Sequence, residues 1–163
     1  MKIEFFEEFV PPTTTVQQRR QNSKGGYLHD AGRKAKALWK AVLEKHAPEK
    51  PIAGPICLCV SVVWPHTKKN RNAGVLPKTT RPDGDNVLKM VKDVMTECGY
   101  WKDDAQVYWE TIIREYGIIT GIHVMINTDI ASNFNGSGHV ALIGSLMDRV
   151  YGEETIETRG GKE

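Results

Sequence analysis

The sequence predicts a single domain of the α/β (α+β) class, with a small mixed sheet of about four strands and two main helices. Its length of 163 residues and its hydrophobic content of 40% are enough for one sizeable core. Runs rich in β-branched and aromatic residues alternate with segments of helical periodicity. After residue 128 the composition turns to Asn, Gly, Ser and Glu. We therefore expect a domain over residues 1–128 and a C-terminal extension over residues 129–163.

The first third of the chain predicts a strand, an arm and a helix. Aromatic and β-branched residues over positions 2–10 stop at two prolines, which indicates a strand with a defined end. The polar, glycine-bearing segment that follows is typical of a loop or a long hairpin arm. A helix is expected next, and it ends before Pro48. Its apolar stripe consists of Ala35, Leu38, Val42 and His46.

The middle of the chain predicts the centre of the sheet and a second helix. The apolar run Ile56–Trp64 lies between prolines and indicates a central strand buried on both faces. The polar segment after it is as long as loops become in compact domains, and such loops are often functional. A helix is expected over Asp85–Cys98, with Gly99 at its end. Its buried face consists of Val87, Leu88, Val91, Val94, Met95 and Cys98.

Two further strands, Val107–Tyr116 and Ile119–Asn127, are expected to form an antiparallel hairpin that turns near Gly117. In the extension, apolar residues at helical spacing indicate a short helix over about 139–151. The residues after that helix are expected to be disordered.

The sequence also bounds the compartment and the chemistry. No apolar run reaches the roughly 18 residues of a membrane span, and the first residues are charged where a secretory signal is apolar. The three cysteines, Cys57, Cys59 and Cys98, are too few and too scattered for a disulfide framework or a zinc site. No phosphate-binding loop or dinucleotide fingerprint is present. We expect a cytoplasmic protein with reduced thiols, no membrane segment and no nucleotide cofactor.

Positive charge is concentrated in two patches, although the formal net charge is only +2. Residues 17–50 contain nine Lys/Arg against three Asp/Glu, and residues 66–92 contain seven against two before Asp93. From residue 129 onward, acids outnumber bases six to three. Basic patches of this kind indicate a polyanionic partner, and a solvated Lys/Arg surface is the alternative.

Four aspartates lie around the second predicted helix. Asp83 and Asp85 lie at its start, where a carboxylate can cap free backbone N–H groups. Capping explains one of them but not the second, and it does not explain Asp103 and Asp104, which follow where the chain could turn back. Carboxylates from separate segments that meet at one point are what Mg²⁺ requires, and the pattern of a calcium-binding loop is absent.

Lys89 projects from the side of this helix that carries Asp85. A lysine one turn from a metal-binding aspartate suits an anionic transition state such as that of phosphoryl transfer. The alternative is an exposed Lys89–Asp93 pair worth a few tenths of a kcal/mol.

Two motifs carry a resemblance to a known family. The first is D-x-D-N-x-x-K at residues 83–89, and the second is W-x-D-D-A-Q at residues 101–106. Together with the string VPPTTTVQQRR, they resemble the RusA family of Holliday junction resolvases, in particular members carried by phages and prophages of Gram-positive bacteria. The likeness covers residues 1–127. Gly84 departs from the family pattern, in which an apolar residue is frequent, and this departure implies a looser local backbone.

The resemblance implies a homodimeric endonuclease of the bacterial cytoplasm that uses Mg²⁺ or Mn²⁺ to place paired nicks in a four-way DNA junction, in recombination, repair or phage DNA processing. By motif position the metal ligands would be Asp83, Asp85 and Asp104, with Asp103 as a further candidate. Lys89 would be the catalytic lysine. The residues that contact DNA would be Arg19, Arg20, Lys24, Lys68, Lys69, Arg71, Lys78 and Arg81.

Two other functions fit the same residues. One is a broader nuclease that trims branched or flap DNA. The other is a non-catalytic dimer that binds junctions. The aspartates argue against this second alternative, because uncompensated negative charge that faces phosphates weakens binding.

Overall fold

The computed structural model describes residues 1–15, 19–22, 25–28, 30–71 and 74–129, with only the backbone of residues 19–22 and 25–28. In this part of the chain, α1 spans Asp30–Leu43 and α2 spans Gly84–Glu97. Short 3-10 turns lie at Glu44–His46 and Asp104–Gln106. The strands are β1 Lys2–Glu8, β2 Arg19–Asn22, β3 Gly25–Leu28, β4 Ile56–Pro65, β5 Leu76–Pro77, β6 Val107–Gly117 and β7 Gly121–Asn127.

The centre of the main sheet is β4. The strand order is β1-β7-β4-β6-β5, with β7 antiparallel and β6 parallel to β4. Every residue of β4 from Ile56 to Trp64 is buried. This confirms the predicted central strand, since a run without a polar face is stable only where both faces are covered.

The predicted hairpin of β6 and β7 is wrong, because β4 lies between them. Cys59 of β4 pairs with Thr111 of β6 on one side and with Met125 of β7 on the other. An apolar strand is most stable with a neighbour on each edge, so β4 separates two strands that are adjacent in sequence. The connection at residues 118–120 therefore crosses the end of β4.

The predicted α+β fold with a small mixed sheet and two main helices is confirmed in the described residues, with one strand more than the predicted number of about four. The main sheet has five strands, because the two-residue β5 is added at its edge. A separate two-stranded sheet is formed by β2 and β3, with Arg19 opposite Leu28. This pairing confirms the hairpin arm as one of the two predicted forms of the segment. Lys24 lies outside the described residues.

The parallel strands β4 and β6 are connected through α2, which runs antiparallel to both. Its first residue, Gly84, lies against Arg114 near the end of β6. Further along the helix, Lys92 pairs with Glu110 at 2.7 Å. The start of α2 therefore lies at the edge of the sheet where β4 and β6 end, which we call the carboxyl edge.

Both helices pack on the same face of the sheet, since their side chains share one core cluster with those of β4 and β7. The predicted buried face of α2 is confirmed, with Met90 in addition and Cys98 only partly buried. In α1 the prediction for Leu38 is wrong, because Leu38 is 40% exposed and Trp39 is fully buried. Gly99 follows α2 with φ 81°, a left-handed conformation that suits a helix end.

Further expectations concern the cysteines, membrane-spanning helices and the C-terminal extension. The three cysteines are free thiols, and burial raises the pKa of Cys59 to about 12. Among the helices in the described ranges, none is long and apolar enough to cross a membrane. The helix expected over about 139–151 and the expected disordered end lie outside the described residues.

Candidate functional site

Two free carboxylates lie at the start of α2. Asp83 is the N-cap residue, with an extended backbone (φ −70°, ψ 150°), and its side chain caps no backbone N–H group. Asp85 lies in the first helical turn, and both aspartates are exposed. Within the described residues, neither carboxylate has a hydrogen bond or an ion pair. Hard divalent cations such as Mg²⁺ bind carboxylate oxygens, and the oxygens of Asp83 and Asp85 are not occupied by structural contacts. The donor chemistry of the pair therefore fits Mg²⁺.

Lys89 forms the i,i+4 pair that the sequence offered as an alternative. Its Nζ lies 3.1 Å from Oδ1 of Asp93, and the side chains are 55% and 40% exposed. An exposed pair of this kind contributes only about 0.3–0.5 kcal/mol. The pair therefore leaves Lys89 available to an anionic ligand next to Asp85.

Asp103 has a structural role that the sequence left open. Its Oδ1 accepts a hydrogen bond of 2.8 Å from the backbone N–H of Ala105. In return, Oε1 of Gln106 accepts hydrogen bonds from the backbone N–H groups of Lys102, at 3.0 Å, and Asp103, at 3.3 Å. This reciprocal cap fixes the 3-10 turn, whereas Asp104 has no partner in the described part of the chain.

Gln106 also fastens this turn to the loop before β4. Its Nε2 donates to the backbone oxygens of Ile52 and Gly54, each at 3.0 Å. A cavity of about 450 Å³ opens beside it, lined by residues 51–55, Lys102 and Tyr108. Sequence reasoning placed Gln106 in a motif but assigned it no role, because its carbonyl partners lie far away in the sequence.

Within one chain the two acidic pairs are far apart. Asp83 and Asp85 lie at the start of α2, while Asp103 and Asp104 follow its end, where the Trp101 indole donates to Thr96 at 2.7 Å. The 14 residues of α2 separate its two ends by about 20 Å. No three His, Cys, Asp or Glu side chains of the described ranges are close enough to hold one ion. The expected meeting of both pairs at one point does not occur in a single chain.

The turn before Asp83, which contains a cis Arg81–Pro82 peptide bond, is held by two cations. Lys78 Nζ donates to the carbonyl oxygens of Thr80, at 3.1 Å, and Arg81, at 2.6 Å. Arg114 Nη1 donates to the carbonyl oxygens of Thr80, at 3.3 Å, and Pro82, at 2.7 Å. Three consecutive carbonyl groups are thus fixed, and with them the start of the segment that carries Asp83. We call Lys78 and Arg114 the turn clamp.

The prediction that Lys78 contacts DNA needs correction. Lys78 is only 4% exposed, and its Nζ lies 5.1 Å from the ring centroids of both Trp64 and Tyr116. The Thr80 hydroxyl, at 2.6 Å, and then the Lys78 ammonium lower the pKa of Tyr116. An enclosed ammonium that already donates to backbone carbonyls is not available to a phosphate.

Gly84 is closely packed, in contrast to the looser backbone that its departure from the family pattern implied. A Cβ atom on Gly84 would lie 3.2 Å from Nε of Arg114 and 3.5 Å from Cγ2 of Ile112. The contact with Arg114 would be tighter than an ordinary van der Waals distance, and the contact with Ile112 would be an ordinary one. The absent side chain therefore leaves the space in which Arg114 lies against the start of α2 and reaches Pro82.

The other predicted DNA contacts fall into two groups. Lys68, Lys69, Arg71 and Arg81 are exposed. The first three lie in the loop that leaves β4 at the carboxyl edge, and Arg81 lies in the turn before Asp83. The structure describes only the backbone of Arg19 and Arg20, and Lys24 lies outside the described residues.

Replacing Asp103 with Ala is expected to lower the free energy of unfolding by about 1 kcal/mol, since the cap of the 3-10 turn is lost. The neighbouring substitution Asp104→Ala is the matched control and should change it by less than about 0.5 kcal/mol, because Asp104 has no partner to lose. Urea denaturation of both variants measures the difference. Equal destabilisation by the two substitutions would contradict the structural role of Asp103.

The sequence of this chain is similar to those of known proteins. A protein-family model described as Endodeoxyribonuclease RusA matches residues 10–127. The chain is 33% identical over 111 residues to a protein named crossover junction endodeoxyribonuclease rusA from Lactococcus phage r1t, a match that covers 67% of this chain and 85% of that protein. It is also 36% identical over 94 residues to the uncharacterized protein YqaN of Bacillus subtilis (strain 168), covering 52% of this chain and 66% of that one.

Proposed function

The chain belongs to the RusA family of endodeoxyribonucleases, and on this premise we propose that it resolves four-way DNA junctions by paired nicks with Mg²⁺, for which Mn²⁺ can substitute. The observation that carries the proposal is the free carboxylate pair of Asp83 and Asp85, with Lys89 one turn further along α2. A relative named as a crossover junction endodeoxyribonuclease supports the junction as substrate, and the phage source of that relative agrees with action in the cytoplasm of a bacterial host.

We propose a homodimer, because one chain does not bring its acidic pairs together. A two-fold axis that places the start of α2 of one protomer against the 3-10 turn of the other would join Asp83 and Asp85 to the partner's Asp104. Each dimer would then hold two such sites, related by symmetry. Two symmetric sites match the two nicks that resolve a four-way junction.

The residues of this site divide the chemistry among themselves. Asp83, Asp85 and the partner's Asp104 would hold a divalent cation through their carboxylate oxygens. When bound, the cation would supply Lewis-acid activation of the scissile phosphate and of the attacking water. Lys89 would turn its ammonium from Asp93 to the phosphate oxygens, where it stabilises the negative charge that develops in the transition state.

The exposed cations at the carboxyl edge would hold the DNA backbone next to this site. The logarithm of the binding constant falls linearly with the logarithm of the salt concentration. Each phosphate contact made by Lys68, Lys69, Arg71 or Arg81 should make this slope steeper by about one unit. The β2–β3 arm carries Arg19 and Arg20, and Lys24 follows β2 in the sequence. Their DNA contacts stay a prediction.

A labelled four-way junction incubated with the purified chain and Mg²⁺ tests the proposal. We expect nicks at symmetric positions in two opposing strands, and no nicks in EDTA. Comparable cutting of linear duplex would favour the broader nuclease of branched DNA. Junction binding without cleavage, with every divalent ion tried, would favour the non-catalytic dimer.

Replacing Lys78 with Met is expected to lower both the free energy of unfolding, by about 1–3 kcal/mol, and the rate of junction nicking. The reason is that the Arg81 carbonyl loses its donor and the Thr80 carbonyl keeps only Arg114. The matched control is Lys92→Met, which removes a partly buried ammonium of α2 that is paired with Glu110, and should keep the nicking rate. Denaturation and single-turnover nicking measure both effects. Wild-type values for K78M would show that the turn clamp is dispensable.

A further inference from the structure

Two isoleucines at the carboxyl edge are exposed without a structural reason of their own. Ile118 is 85% exposed and Ile119 is 64% exposed, in the connection that crosses the end of β4. Single exposed apolar residues are common on protein surfaces. Here, however, two large β-branched residues follow one another at the outermost point of a tight connection, where both remain in water.

The connection that presents them is firmly anchored. At its start, Gly117 is buried and lies opposite Pro65 of β4. At its end, the backbone N–H of Phe9 donates to the carbonyl oxygen of Thr120 at 3.1 Å. Both ends of the connection that carries the two isoleucines are therefore attached to neighbouring backbone.

Their place relates them directly to the proposed site. Tyr116, two residues before Ile118, contacts the Thr80 hydroxyl in the turn before Asp83. On the other side, the exposed cations Lys68 and Lys69 follow the end of β4, which the connection crosses. We call Ile118 and Ile119 the apolar tip. This tip lies at the same edge as the free carboxylates and the cations of the loop.

The surroundings decide which partner fits this tip. A second copy that packed its own carboxyl edge here would bring like-charged loops together, which costs free energy. Branched DNA offers complementary chemistry, because its phosphates match the cations and the faces of its bases are apolar. Proteins that open or kink DNA insert apolar side chains of this type between base steps.

We propose that Ile118 and Ile119 form an apolar wedge that inserts between bases at the branch point of the DNA substrate. The inference rests on the proposed function, since it takes branched DNA as the ligand. Insertion would bury both side chains, and this burial offsets the cost of unstacking the bases. The wedge would widen the branch point and present the strands to the carboxylates of the same edge.

The test uses a four-way junction with 2-aminopurine at the branch point, because the fluorescence of this base rises when it is unstacked. The full chain carrying Asp85→Asn is added with Mg²⁺, so that binding is observed without cutting. We expect fluorescence to rise at least about twofold. The added substitutions Ile118→Ser and Ile119→Ser should abolish most of this rise while junction affinity falls by less than about tenfold.

Leu38→Ser provides the matched control, since Leu38 is an exposed apolar residue of α1, 40% exposed, and should leave the fluorescence rise intact. A cleavage arm in the chain with native Asp85 compares two substrates. On a fully paired junction, I118S/I119S should nick at least about tenfold more slowly. On a junction whose branch point already carries unpaired bases, the loss should be less than about threefold, because nothing remains to be opened.

The outcomes separate the wedge from the function on which it rests. If the unsubstituted chain neither binds nor nicks any junction, both proposals fall. If it nicks junctions but I118S/I119S keeps the full fluorescence rise, or loses cleavage equally on both substrates, the wedge alone is overturned. A shift of I118S/I119S from dimer to monomer in sedimentation would assign the tip to a second copy and would also overturn the wedge.

Discussion

Replacing Asp85 with Asn is expected to lower junction nicking by more than about a hundredfold, since even residues that only support a metal ligand cost 10–100-fold when they are removed. The Asn side chain keeps the size of the carboxylate but loses its charge, and Asp85 makes no structural contact among the described residues that the change could break. Stability should therefore change by less than about 0.5 kcal/mol, and junction affinity should be kept.

The matched control for this experiment is Asp30→Asn. Asp30 is also an exposed aspartate in the first turn of a helix, where it pairs with Arg33. Single-turnover nicking across a range of Mn²⁺ concentrations, with denaturation in parallel, measures both variants. If D85N nicked at the wild-type rate, Asp85 would be a surface residue and the metal site would have to lie elsewhere.

Mixing two inactive variants is expected to restore nicking, and this is the second large effect. Chains with Asp85→Asn and chains with Asp104→Asn should each be inactive as homodimers. In a mixed dimer, one of the two shared sites would combine an intact Asp85 from one protomer with an intact Asp104 from the other. After exchange in equal amounts, about a quarter of all sites would be intact, and the nicking rate should approach about a quarter of the wild-type rate.

The mixed dimers carry a further signature. They have one working site each, so they should produce single nicks and few paired ones. A matched mixture of D85N with Asp83→Asn chains should stay inactive, because both substitutions fall in the same half of the site. If neither mixture recovered activity, each chain would have to hold its own complete site, against the separation of the acidic pairs along α2.

Much of the site could be predicted because its signals are local. The positions of Asp83, Asp85 and Lys89 follow from helical spacing alone. The central position of β4 follows from its apolar run. The separation of Asp85 from Asp104 could not be predicted in this way, because it depends on the direction of α2 relative to β6. That direction is set by the parallel pairing of β4 with β6, a contact between distant parts of the chain.

The contacts of Lys78 and Arg114 could not be predicted from the sequence either. In the sequence, Lys78 lies among exposed cations and has the appearance of one of them. Its burial depends on Trp64 and Tyr116, which meet around it only when the strands have paired. The close approach of Arg114 to Gly84 is likewise a contact between distant segments. Composition and periodicity carry no information about such contacts.

The position of β7 between β1 and β4 has a consequence for biosynthesis. β1 pairs with β7 from Lys2–Asn127 to Glu8–Gly121, so the strand of the main sheet that is made earliest binds the strand that is made last. At about 5–20 residues per second, β1 would wait roughly 6–25 s for this partner. During that time the charges of Lys2, Glu4, Glu7 and Glu8 would protect the strand from pairing with other nascent chains. Contacts between such distant segments also slow folding, so the sheet should close late and in one step after residue 127 has emerged.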